Sequence, residues 1–212
     1  MRPIGIGEIL RRIIGKTIIW SVKNEIIASV GALQTCAGHE AGCEALVHAM
    51  TRIFHDEETE AVFMIDAANA FNTVNRNVFL HNIKIICPQI ATFVINCYSR
   101  PSRLFVLGGT ELKSKEGTTQ GDPIAMAVYA TAIIPLIYKL IEALAGENIS
   151  AKNAAYADDL TAAGSLTALY IWWNHLCEIG PKFGYYPRPD KCWIIVKKEN
   201  LEKARHFLDL LV

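Results

Sequence analysis

Apolar residues recur at helical spacing along the first part of the chain. Ile9, Ile13, Ile14, Thr17, Ile18, Val22, Ile26 and Ile27 make one stripe, which predicts a helix over residues 8–30 stopped by Gly31. A second helix is expected over about Glu40–Phe54. The pattern then shortens: Glu60–Ile65 (EAVFMI) is an apolar run rich in β-formers and reads as a strand. Asn75 opens a helix with Val78, Phe79, Ile83 and Ile86 facing inward, and Pro88 ends it. Gln89–Tyr98 reads as another helix, and Arg103–Leu107 and Glu111–Lys115 as a hairpin about Gly108-Gly109. Pro123 starts a long helix, in the first-turn position that proline tolerates. Ala154–Ala163 reads as two strands folded about Asp158-Asp159, followed by a helix over Leu166–Ile179, a strand over Trp193–Val196 and a helix over Leu201–Leu211. No internal repeat or low-complexity linker interrupts this order. Helices mixed with strands that are mostly joined as hairpins predict an α+β fold.

Composition narrows the class. The chain has 212 residues, 51% of them hydrophobic, enough for one sizeable domain or two small ones sharing a core. A formal net charge of zero argues against a protein that coats nucleic acid, yet leaves room for an enzyme with locally basic surface. The charge is uneven. The first 23 residues carry Arg2, Arg11, Arg12, Lys16 and Lys23 against Glu8, Glu40–Asp66 is acidic, and Lys182–Arg205 is basic again. Basic flanks around an acidic centre fit a place where metal and phosphate meet. Six cysteines without a C-x-x-C pair suggest buried thiols of an intracellular protein. No signal peptide is visible, and the longest uncharged apolar stretch, Pro123–Tyr138, is shorter than the ~20 residues of a membrane helix and reads as a buried one. The start on Arg2-Pro3 and the stop inside an apolar helical pattern, Leu208–Val212, suggest a piece of a larger protein.

Three places carry candidate chemistry. Asp66 closes the strand Phe63-Met64-Ile65, where a rigid backbone holds an exposed carboxylate as a metal ligand requires; a helix cap or turn aspartate is the ordinary alternative. Tyr156-Ala157-Asp158-Asp159 sets two adjacent acids in a β pattern, costly unless they face water or a cation; an ordinary polar turn is the alternative. Glu116-Gly117-Thr118-Thr119-Gln120-Gly121-Asp122-Pro123 leads into a helix. Its glycines permit close backbone approach and Gln120 offers both a donor and an acceptor, while Asp122 is expected to act simply as the helix N-cap.

Taken together, in this order and spacing, the strand-end Asp66, the Gln120-Gly121 loop and the paired-Asp hairpin resemble motifs A, B and C of reverse transcriptases. Tyr-Ala-Asp-Asp is the form typical of retrotransposon and group II intron members. The resemblance spans nearly the whole chain: Arg2-Pro3-Ile4-Gly5-Ile6 is similar to the fingertip strand and Gly180–Val196 to motif D. It implies the palm of a right-hand polymerase, an antiparallel sheet backed by helices. Partial fingers would span residues 1–45, palm 46–73, fingers 74–119 and palm 120–212, with the thumb absent. The implied activity is RNA-directed DNA polymerisation, the transfer of dNTPs to a primer 3′-hydroxyl on an RNA or DNA template.

The same resemblance implies roles. Asp66 and Asp158 would chelate two Mg²⁺ ions, with Mn²⁺ possible, the Ala67 carbonyl completing the shell and Asp159 assisting. Phe71 would be the steric gate that excludes a ribose 2′-hydroxyl, against a bland role as a core Phe packed on Val78. Gln120 and Gly121 would line the incoming nucleotide. Lys191 would serve pyrophosphate, against a solvated surface lysine, and Arg2 would grip the triphosphate through its guanidinium. Some positions depart from the family pattern. Asn72 replaces a second acid, and His39 is the only basic residue over Gln34–Gly42. No thumb, ribonuclease H, integrase or endonuclease signature appears, so the thumb and other polyprotein domains are expected partners. Cys36, His39 and Cys43 stand at helical spacing but lack the fourth ligand of structural zinc. Trp172 and Trp173 read as core and rim of a helix. A catalytically inactive, polymerase-like nucleic-acid-binding relic is the alternative function.

Overall fold

The computed structural model describes residues 4–209. Its centre is a four-stranded antiparallel sheet of β1 (Ala61–Ile65), β4 (Lys152–Tyr156), β5 (Asp159–Gly164) and β6 (Trp193–Val196), in the order β4-β5-β1-β6. The register is fixed by Ala61↔Gly164 through Ile65↔Leu160 on one side of β1 and by Ala61↔Val196 through Met64↔Trp193 on the other. A separate hairpin joins β2 (Ser102–Phe105) to β3 (Glu111–Ser114).

Nine α-helices accompany the strands among the described residues. They are α1 (Ile9–Ser21), α2 (Lys23–Val30), α3 (Gly42–Phe54), α4 (Ala70–Thr73), α5 (Arg76–Ile86), α6 (Pro88–Tyr98), α7 (Ala125–Gly146), α8 (Leu166–Phe183) and α9 (Leu201–Asp209).

The sheet explains why β1 reads as an unbroken apolar run. Both of its faces are covered, so alternation is lost. Phe63 meets Trp172, Trp173 and Phe207 of α8 and α9. Val62 and Met64 face the other way and pack with Met50, Leu46, Ile53 and Phe54 of α3. Both tryptophans are buried, and Trp172 Nε1–H donates to Asn153 Oδ1 at 2.6 Å, so neither offers a face to a base. The helix α7 is long and apolar enough to cross a membrane by length and composition alone, but most of its residues from Ala125 to Ile137 are buried against α2, α5 and α8.

Several elements differ from the sequence reading. The first helix is two, broken at Val22, whose φ of −117° and ψ of 23° leave the helical region. Its inward face is also different: Ile9, Ile13 and Ile14 are exposed. α1 meets the segment that leads into α7 through Arg11, which pairs with Asp122, and through Gly15, which faces Pro123 and Ile124. α7 starts at Ala125, two residues after Pro123.

The hairpin tip is Ala157-Asp158, and Asp159 is already the first residue of β5. α8 runs past Pro181 and ends at Gly184, whose φ of +76° accepts the C-terminal turn. There Tyr185 N–H donates to Gly180 C=O and Gly184 N–H to Pro181 C=O, satisfying the last carbonyls. A side chain at Gly184 would also collide with the carbonyl of Thr73.

Candidate active site

Asp66 directly follows β1. The β1–β5 ladder ends at Ile65↔Leu160, with Asp66 next after Ile65 and Asp159 next before Leu160. Asp66 and the Asp158-Asp159 pair, far apart in sequence, therefore lie at one end of the sheet. On its other side, residues 66–68 are pinned to residues 186–188: Arg188 N–H donates to Asp66 C=O and Ala68 N–H to Tyr186 C=O, both at 2.8 Å. In an antiparallel pair these bonds turn the peptide groups of Ala67 toward the hairpin side. Lys191, in the 3-10 turn Pro189–Lys191, brings its ammonium to 3.8 Å from Asp66 Oδ2. Arg188 is exposed and binds Asp190 through two hydrogen bonds of 2.8 and 2.5 Å; those bonds hold the Asp190 carboxyl below its usual range.

The hairpin tip is held by residues that sequence reasoning passed over. Ala157 has a φ of +55°. The amide of Gln34 grips it twice at 2.9 Å: Nε2–H donates to Ala157 C=O, and Ala157 N–H donates to Oε1. Beside it, Thr35 N–H and its hydroxyl both donate to Ala155 C=O. The buried hydroxyl of Tyr185 donates to Asp158 C=O at 3.0 Å. Cys36 lies near the tip, and burial pushes its thiol up to about 11, with the charge of Asp158 adding to the rise. It is thus a neutral thiol at physiological pH in the metal-free protein.

Phe71 lies on α4, which begins after Asn69 at a φ of +49°. Its ring stacks on Tyr129 of α7 with centroids 4.4 Å apart. It is 9% exposed and belongs to the core. The loop over residues 116–123 docks on it: Thr118 N–H and hydroxyl donate to Phe71 C=O, and Gly117 N–H donates to Val74 C=O. Gly117, at a φ of +68°, lies so close to the Asn72 backbone that any Cβ would overlap it.

Arg76 locks this loop from behind. Its buried guanidinium donates to the carbonyls of Ser114, Glu116 and Gly117. Gln120 C=O accepts from Gly5 N–H at 2.8 Å, which sets the opening segment beside Gly121. Arg2 lies outside the described residues.

Asp122 makes the expected cap bond at the entry to α7, and two further bonds beside it. The residue before α7 is Ile124, which makes no side-chain cap bond. Asp122 Oδ1 accepts from Ile124 N–H at 3.2 Å, while Oδ2 binds Arg11 at 2.5 Å and the Tyr98 hydroxyl at 2.9 Å. Its side chain is nearly buried, so it takes a cationic partner in addition to capping.

Among the described residues no three His, Cys, Asp or Glu side chains are arranged as a ready-made metal cage, and this holds for Cys36, His39 and Cys43 as well. The acids at the sheet end nonetheless fit Mg²⁺ in kind. They offer carboxylate oxygens, and Mg²⁺ keeps much of its shell for water and substrate phosphate instead of a closed protein cage.

No protein-family model matches the sequence, and no curated protein matches it. The fold is nonetheless shared with solved telomerase structures. Telomerase from Candida albicans, in complex with a TWJ fragment of telomeric RNA, superposes with a TM-score of 0.62 and 10% identity, over 90% of this chain and 36% of that one. Telomerase from Candida tropicalis with the same kind of fragment gives 0.62 at 11% identity over 87% and 33%. Its apo form gives 0.59 at 10% over 90% and 37%. The chain thus spans about a third of the length of these telomerase chains. The likeness shows a fold shared with these telomerase chains, α+β with an antiparallel sheet backed by helices.

Proposed function

We propose that the chain is the catalytic core of an RNA-directed DNA polymerase, a palm with partial fingers that transfers dNTPs to a primer 3′-hydroxyl. One observation carries this reading: the β1–β5 ladder ends at Ile65↔Leu160, so Asp66, directly after β1, and the hairpin tip with Asp158 and Asp159 lie at the same end of the sheet. Asp66 and Asp158 would hold Mg²⁺, with the Ala67 carbonyl and Asp159 assisting. When bound, two such ions stabilise the attacking and leaving oxygens of the transfer. Lys191 stands where it can exchange Asp66 for the departing pyrophosphate. Phe71 presents its edge below the sugar, and the loop at Gln120-Gly121, tied to Phe71 through Thr118, lines the nucleotide. An RNA template is favoured because the fold is shared with telomerase solved with an RNA fragment.

The test is incorporation of labelled dNTP by the purified chain on a primed RNA template, with unprimed RNA as control. Primer-dependent extension supports the reading. Tight binding of primed RNA with no extension under Mg²⁺ or Mn²⁺ would identify an inactive nucleic-acid-binding relic instead.

A further inference from the structure

The tip of the β4–β5 hairpin has a conformational difficulty. A two-residue loop with positive φ at its first position favours glycine there, because a Cβ crowds the backbone. This chain has Ala157, at a φ of +55°. The tip residues also lie beyond the sheet ladder, which pairs Tyr156 with Asp159 and goes no further. Gln34 meets both needs. Its side chain is 0% exposed and presents one donor and one acceptor to the C=O and N–H of Ala157, each at 2.9 Å. It thus acts as the peptide group of an additional strand, and the chain there makes a parallel bridge, Gln34↔Ala155. Tyr185 holds the next carbonyl, that of Asp158. Between them, three backbone groups of the Ala157-Asp158 turn are fixed from outside the hairpin.

We infer that Gln34 is a positioning residue: its amide holds the left-handed Ala157 turn and so fixes the backbone that carries Asp158 and Asp159. This inference rests on the polymerase reading for its catalytic consequence, but not for the clamp itself. Only an amide serves. A carboxylate at position 34 lacks the donor for Ala157 C=O, and an apolar side chain leaves both backbone groups unpaired.

Three measurements test it on the full chain. The first is hydrogen exchange at the Ala157 amide, read by NMR. Protection in the parent and fast exchange in Gln34→Ala, which removes the acceptor of the Ala157 N–H, are expected, whether or not the chain polymerises. The second is steady-state primer extension. In Gln34→Glu, which preserves volume, kcat should fall roughly 10–100-fold, the range of a small misplacement of reacting groups, while the KM for dNTP and primer-template affinity stay within about twofold. The third is rescue. Adding Ala157→Gly to Gln34→Ala should recover much of the lost kcat, because glycine adopts positive φ without the clamp.

Parental exchange at Ala157 in Gln34→Ala overturns the inference. So does parental kcat, or a kcat loss that Ala157→Gly fails to recover while melting temperature drops, since that marks Gln34 as core filling. An inactive parent with a protected Ala157 amide would overturn the polymerase reading and leave the clamp standing.

Discussion

The ring of Phe71 stacks on that of Tyr129, with centroids 4.4 Å apart and planes 23° from parallel. Tyr129 is wholly buried in α7, and burial pushes its phenol well above the usual range, so it is a neutral, rigid backstop. Phe71 therefore cannot swing inward to admit a larger sugar. Phe71→Val should raise the ratio of rNTP to dNTP efficiency while lowering stability, because a stacked, nearly buried ring is truncated; Phe→Ala in cores costs ~3–5 kcal/mol and Val somewhat less. Nucleotide competition run beside thermal melting separates the two effects. A lower melting temperature with an unchanged ratio assigns Phe71 to the core alone.

Asp66→Asn should abolish incorporation with little change in melting temperature. Its partner Lys191 is about half exposed, and exposed ion pairs of this kind contribute ~0–1 kcal/mol. A variant that loses activity and also several degrees of melting temperature would show that Asp66 matters to the fold and not only to the site.

The fold was partly legible in the sequence. The strand Ala61–Ile65 and the helix opening at Asn75, whose side chain accepts from Val78 N–H, carry local signals strong enough to read directly. The inward face of α1 was not, because it is set by Gly15 and Arg11 meeting a segment more than a hundred residues away, and apolar periodicity cannot register that contact. Asp66 and the paired acids carry recognisable motifs. Gln34, Tyr129 and Tyr185 do not, since each works through a long-range contact to a backbone group or a ring that the chain places beside it only on folding. Asp122 was only partly legible for the same reason: its cap bond to Ile124 N–H could be read locally, but its pairing with Arg11 and Tyr98 could not.

Acid should destabilise the chain through Glu60. Its carboxyl is held below the usual range by the backbone N–H of Leu166 and then by Lys203. With the folded pKa depressed, the stability it contributes is fully present above the unfolded value of 4.5 and is lost as pH falls through the folded value. Denaturation midpoints measured across this acid range should fall less steeply for Glu60→Gln than for the parent. Identical slopes would remove Glu60 from the acid response.

Gly117→Ala should detach the Gln120-Gly121 loop from Phe71. The new methyl group would overlap the Asn72 backbone, and the positive φ disfavours any Cβ, a strain of order 1–3 kcal/mol. Raised dNTP KM together with a lower melting temperature is expected in primer extension and calorimetry. An unperturbed KM would show that the loop does not line the nucleotide.

The central claim is that the carboxylates at the end of the sheet perform metal-dependent nucleotidyl transfer. Its most direct test is single-turnover dNTP incorporation on primed RNA, comparing the parent with Asp66→Asn and Asp158→Asn, each with Mg²⁺ and with EDTA. The account predicts extension by the parent with Mg²⁺ only, and none by either variant, with all three chains equally folded. Extension by Asp66→Asn or Asp158→Asn at the parental rate would contradict it.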